Sequence, residues 1–162
     1  MTSRLLVDKI EGKSTSSNVI MPSGHVLQVK RASLNSTSHE SFSSTSFATS
    51  TLSVSLTPKA SGNKVIVQGN IGMGAQRTSG ECYTALYVDG SNVSSTDGGS
   101  GYYWCGYWDT NNTNYDGASG YYEYTTVDTS AHTFAIYIKV TSGSFDLHKG
   151  GSHSLVCTEV QV

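Results

Sequence analysis

Charge is scarce in this chain of 162 residues, of which 14% are Asp, Glu, Lys or Arg, against about 25% in an average soluble protein. Helices dress their solvent side with Glu, Lys, Arg and Ala, side chains that lose little freedom on a helix. The shortage therefore argues against a helical fold. Ten basic residues against twelve acidic ones leave a formal charge of -2, with no basic stripe to neutralise phosphates, so nucleic acid is not an expected partner. No window approaches the roughly 20 apolar residues of a membrane span. The opening run Leu5-Leu6-Val7 is too short for the apolar stretch of a signal peptide. Membrane insertion is not expected, and synthesis in a cytosol is. Cys82, Cys105 and Cys157 are odd in number and lack any CxxC or Cys/His spacing, which argues against a disulfide framework and a zinc centre. They read as reduced, packed thiols.

What the chain does have is small hydroxyls, glycine and tyrosine: 27 serines, 18 threonines, 17 glycines and 10 tyrosines. The strand pattern is explicit. Thr51 to Thr57 alternates Leu52, Val54 and Leu56 with hydroxyls, the period of a half-buried strand. Lys64 to Met73 returns after the Pro58 to Asn63 turn as a more continuously apolar strand, and Cys82 to Val88 ends in Asp89-Gly90, a strong hairpin signal. Thr133 to Thr141 alternates Phe134, Ile136 and Ile138 against Ala135, Tyr137 and Lys139. Eight or nine such strands with polar, Gly-rich loops and no amphipathic helix predict an all-β fold, an antiparallel sandwich or jelly-roll-like domain over residues 25–162. Before it, residues 1–24 read as an extended N-terminal arm. Its apolar side chains Leu5, Leu6, Val7, Ile10, Val19, Ile20 and Met21 have no partner nearby in sequence, so they are expected to pack on another subunit or another protein.

Chemistry is thinly signalled. His25, His39, His132, His148 and His153 fall in no spacing that builds a nucleophile or a metal pair. Gly69 to Gly74 superficially resembles a phosphate loop but opens no helix, so a bulge or close strand packing is the better reading. The oxygen-rich run Asp109 to Asp116 lacks the distal Glu and the glycine of an EF-hand loop. No catalytic residue, metal or cofactor is expected. The aromatic stretch Tyr102 to Trp108, with Tyr121, Tyr122 and Tyr124 beyond it, suits either packing or a ligand surface.

The order of motifs resembles a family. Val26-Leu-Gln-Val, the run from Leu52 through Pro58-Lys-Ala-Ser-Gly-Asn to Val67, Leu86-Tyr-Val-Asp-Gly-Ser and the closing Ser154-Leu-Val-Cys-Thr-Glu-Val are similar to short structural proteins of tailed, especially marine, bacteriophages. There the pattern stands at the C-termini of tail fibres and in small standalone virion proteins. Leu6-Val-Asp-Lys-Ile and Asn18 to His25 look like the arm that precedes such domains. In place of the family's Asn-Arg pair before the last strand, this chain reads Asp146-Leu-His-Lys.

The resemblance implies a non-enzymatic virion component, assembled in the host cytoplasm. The first expectation is a homotrimeric fibre or spike-like attachment protein, its arm docked on another virion protein and its β-domain facing the host surface. Tyr102, Trp104, Trp108, Tyr121 and Tyr122 would then stack on a host glycan, with Asp109, Asn111 and Asn112 hydrogen-bonding to it. The alternative is a capsid decoration or cement protein, whose arm crosses a junction between major capsid subunits.

Overall fold

The computed structural model of the protein describes residues 23–34, 40–77, 80–94, 104, 107–108, 116–147 and 152–162; side-chain detail excludes 72–77, 107–108 and 116–118. The arm residues Leu5, Leu6, Val7, Ile10, Val19, Ile20 and Met21 lie outside the described residues, as do Tyr102, Asp109, Asn111 and Asn112. The described residues form strands β1 (Val26–Leu34), β2 (Glu40–Phe42), β3 (Ala48–Leu56), β4 (Lys64–Arg77), β5 (Cys82–Val88) and β6 (Ser91–Asn92). They continue with β7 (Tyr107–Trp108), β8 (Asp116–Thr125), β9 (His132–Val140), β10 (Phe145–Leu147) and β11 (His153–Val160).

All the strand pairs are antiparallel, and they nest. β1 pairs β11, β3 pairs β9, β4 pairs β8, and β5 pairs the short β6 and β7. The chain is thus one long hairpin, closed at its outer end by the first and last strands and rolled up so that successive pairs alternate between two sheets. The first sheet runs β1-β11-β4-β8, with β10 and β2 continuing the β11 and β1 columns; the second runs β3-β9-β5 with β6 and β7 at its edge. That wiring is a jelly-roll sandwich. The sequence pattern underlies it. Leu52, Val54 and Leu56 on β3, Val65, Val67 and Ile71 on β4, Leu86 and Val88 on β5, Phe134, Ile136 and Ile138 on β9, and Leu155 and Cys157 on β11 all face inward and are buried. Each such Leu, Ile or Phe contributes about 1.5–3 kcal/mol on leaving water. Burial pushes the Cys157 thiol up to about 12, so it behaves as an apolar core group rather than as a nucleophile.

Local devices fix the register. Asp89 and Gly90 take φ of +50° and +79°, the double left-handed turn that joins β5 to β6 in a two-residue hairpin. The glycine-rich run reads as strand: β4 carries a register irregularity between Ile71 and Ala75. At the end of the sandwich where the chain enters β1, the fully buried Glu159 accepts hydrogen bonds from Gln28 Nε2 at 2.5 Å, the Lys59 backbone N–H at 2.8 Å and Asn63 Nδ2 at 2.6 Å. A buried carboxylate is tolerable only with such donors. Here they tie β1 and the turn between β3 and β4 to β11.

Candidate functional site

The outer face of the first sheet carries a hollow of ≈ 400 Å³. Strand register builds it. Gln68 on β4 lies between Val156 on β11 and Tyr121 on β8, and in the next row Asn70 lies between Ser154 and Ser119. Two serines flanking Asn70 leave that row lower than its neighbour. Gly69 faces Gly120 across the β4–β8 ladder, so the backbone itself forms the floor. Apart from the Tyr121 phenol, no ionisable side chain among the described residues lines the hollow. Tyr121 is 59% exposed, the most solvent-accessible aromatic among the described residues. No hydrogen bond ties the side chains of Gln68, Asn70, Ser119 or Ser154 to another described residue. An aromatic ring with an apolar face thus stands beside amides and hydroxyls that can each donate and accept.

Trp104 supports this wall from inside. Its backbone N–H donates to Thr84 O of the second sheet at 2.6 Å, while its indole Nε1–H donates to Tyr121 O at 3.1 Å. The ring lies over Gly69 so closely that a Cβ there would fall inside it. Glycine at position 69 is therefore required by close approach rather than by φ. This places Trp104 beneath the hollow, half-buried and packed against the core, and not on its rim as a stacking platform. Tyr122 faces inward beside Val67 and packs on the same core. Trp108 pairs its backbone with Cys82 on β5. Of the aromatic positions expected to meet a ligand, Tyr121 is the one the described structure sets at the hollow.

The outer face of the second sheet is aromatic instead. Tyr87 and Tyr137 stack at 3.8 Å between centroids, Phe47 tilts against Tyr87 at 5.9 Å, and Lys139 Nζ sits 5.0 Å from the Phe47 centroid and 4.8 Å from that of Tyr83. These rings lie over Ala85 and Ala135, which are 0% and 5% exposed although they point away from the core. Burial raises the Tyr87 phenol above its ordinary value.

Titratable groups gather at the end of this sheet. His132, buried, places Nδ1 2.7 Å from Asp89 Oδ2 and Nε2 3.3 Å from Asp128 Oδ1. Asp89 also accepts the Thr133 backbone N–H at 2.8 Å. Burial pushes the Asp89 carboxyl up, but the hydrogen bonds from His132 and Thr133 outweigh it and leave the group below its ordinary value. Asp128 is lowered as well, chiefly by the Ser130 hydroxyl and N–H. This cluster joins the β5 hairpin to the start of β9. Among the described residues, no group of three or more His, Cys, Asp or Glu could hold a metal ion.

No known protein family matches the chain, and no curated protein matches it in sequence. The hollow's amides and serines went unsignalled in the sequence because Gln68, Asn70, Ser119 and Ser154 belong to three strands far apart in the chain. The available clue was phase: each occupies an outward position of its strand.

Proposed function

We propose that the chain is a non-enzymatic structural protein of a tailed-phage virion, a trimeric fibre or spike-like attachment component held by its N-terminal arm and presenting its β-domain to the host surface. The observation that carries this reading is the uncharged hollow with Tyr121 beside it, a ligand-sized concavity set in a regular sheet rather than on loops. A rolled hairpin supports the role physically, since jelly rolls serve in viral shells and in lectins, where the sheet faces are free to meet a partner. The free edges of β1 and β3, which pair with β11 and β9 alone among the described strands, give a neighbouring subunit backbone groups to cover.

The test is competition. Purified chain at saturating concentration should bind host cells and reduce particle adsorption, and antibody labelling should place it on the tail. A chain that leaves adsorption unchanged, together with particles that lose heat resistance when it is missing, would replace this reading with capsid cementing.

A further inference from the structure

We infer that the outer hollow of the first sheet binds an uncharged saccharide unit, gripped by Tyr121, Gln68, Asn70, Ser119 and Ser154. The inference rests on the attachment reading and names the ligand class of that site. Three properties of the hollow select it.

The first is hydrogen-bond type. Amides and hydroxyls each donate and accept, and four of them point outward from adjacent strands with no internal partner among the described residues. A sugar hydroxyl is likewise donor and acceptor at once, so any of the four can meet it in either sense.

The second is charge. Phosphate or carboxylate ligands need a cation or a helix terminus, and among the described residues no Lys, Arg or His lines the hollow. Among the described residues, the charges near it on this face are committed or displaced: Glu123, two residues beyond Tyr121, is paired with Lys64 at 2.8 Å, and Arg31 lies beyond Val156 on β1. A neutral ligand asks the site for no counter-charge.

The third is shape and rigidity. A volume of ≈ 400 Å³ falls at the small end of the roughly 300–1,000 Å³ of small-molecule sites, enough for a ring with its substituents. Tyr121 offers the apolar face of its ring, which suits the C–H face of a pyranose. Trp104 holds the Tyr121 carbonyl from behind at 3.1 Å, so the strand that carries the ring is braced before binding and its backbone adds little ordering cost on association.

The experiment is a titration of the ¹⁵N-labelled full chain with methyl glucoside, methyl galactoside and methyl mannoside, and with glucuronate and N-acetylneuraminate as charged counterparts. At least one neutral glycoside should give saturable shifts with a Kd of about 1 mM, and the Trp104 indole N–H resonance, assigned through Trp104→Phe, should move with them. Tyr121→Ala should weaken binding about tenfold, Ser119→Tyr should abolish it by filling the hollow, and Tyr137→Ala on the opposite face should leave it intact. Absence of saturable shifts with every neutral glycoside would overturn the inference. So would tighter binding of the charged sugars that disappears in Arg31→Ala. Glycoside binding without cell binding would remove the attachment reading and leave this site standing; cell binding without glycoside binding would do the reverse.

Discussion

Both sheets turn an outer face to solvent, yet among the described residues one is filled by its own side chains and the other is left open. On the second sheet, Ala85 and Ala135 create a depression that the stacked rings of Tyr87 and Tyr137 cover, with Lys139 held between Phe47 and Tyr83. On the first, Ser119 and Ser154 create a comparable dip beside Asn70, and no ring of a described residue is laid over it. An exposed aromatic side chain therefore says little by itself about ligand binding. What matters is whether the ring already has an intramolecular partner. Tyr137 has one; Tyr121 stands largely in solvent above a gap.

The largest effect is expected beneath the open face. Trp104→Ala removes the ring that fills the space over Gly69 and leaves the Tyr121 carbonyl without its indole donor, and should cost about 2–4 kcal/mol, below the full range for a buried Trp because this one is half-buried. Urea unfolding measures the loss. Amide exchange should show it concentrated at Gly69 and Tyr121 rather than at Tyr87. Gly69→Ala should destabilise the parent by about 1–3 kcal/mol through overpacking, and by little in the Trp104→Ala background, where the obstructing ring is gone. Equal penalties in both backgrounds would show that Trp104 is not what requires the glycine.

On the filled face, Tyr137→Ala should cost about 1.5–2.5 kcal/mol, since it unstacks Tyr87 and uncovers Ala85 and Ala135. A loss below about 0.5 kcal/mol in chemical denaturation would mean that the stacked rings hold nothing together, and the contrast between the faces would collapse.

A smaller effect separates the sheets by pH. Asp89 joins β5 to β9 through His132 and Thr133, with Asp128 on the other side of the imidazole and Tyr124 edge-on to it at 5.4 Å. Both carboxyls lie below their ordinary 3.8. Their contribution is thus fully present above that value and is lost as pH falls through the lowered folded-state values. Unfolding followed by amide exchange at the β5–β9 ladder should therefore weaken below about pH 4 while the β4–β8 ladder holds. Asp89→Asn should flatten that dependence and cost about 0.5–1 kcal/mol at neutral pH, a modest figure because the Asp89 side chain is half-exposed. Equal acid sensitivity of the two ladders would assign the effect to the whole fold.

Much of the architecture was written locally and could be read. Leu52, Val54 and Leu56, and Phe134, Ile136 and Ile138, alternate with polar or small residues, and Asp89-Gly90 turns where its type requires. The glycines from Gly69 to Gly74 lie in strand β4, and their use as strand rather than phosphate loop followed from the missing helix. The paired columns were not local. Gln68 meets Val156 and Tyr121 only after the hairpin has rolled up, so no window of sequence displays the hollow. Trp104 misled for a related reason. A Trp among Tyr and Gly looks the same whether it reaches outward or inward, and what decides is Gly69, 35 positions earlier in the chain. Glu159 was legible in principle, as a charge on the inward phase of β11, but its donors come from Gln28, Lys59 and Asn63.

The smallest expected effect on stability is the most telling. Tyr121→Ala removes a ring that is 59% exposed, whose backbone carbonyl, not its side chain, receives the Trp104 indole. Unfolding should shift by no more than about 0.5 kcal/mol, several-fold less than for Tyr137→Ala, although the two substitutions delete the same atoms from the outer faces of two sheets in one sandwich. A ring that holds nothing of its own protein in place but whose loss weakens glycoside binding is held ready for a ligand. If instead Tyr121→Ala destabilised the chain as much as Tyr137→Ala, the ring would be serving its own sheet, and the hollow would be a packing defect with no claim to a partner.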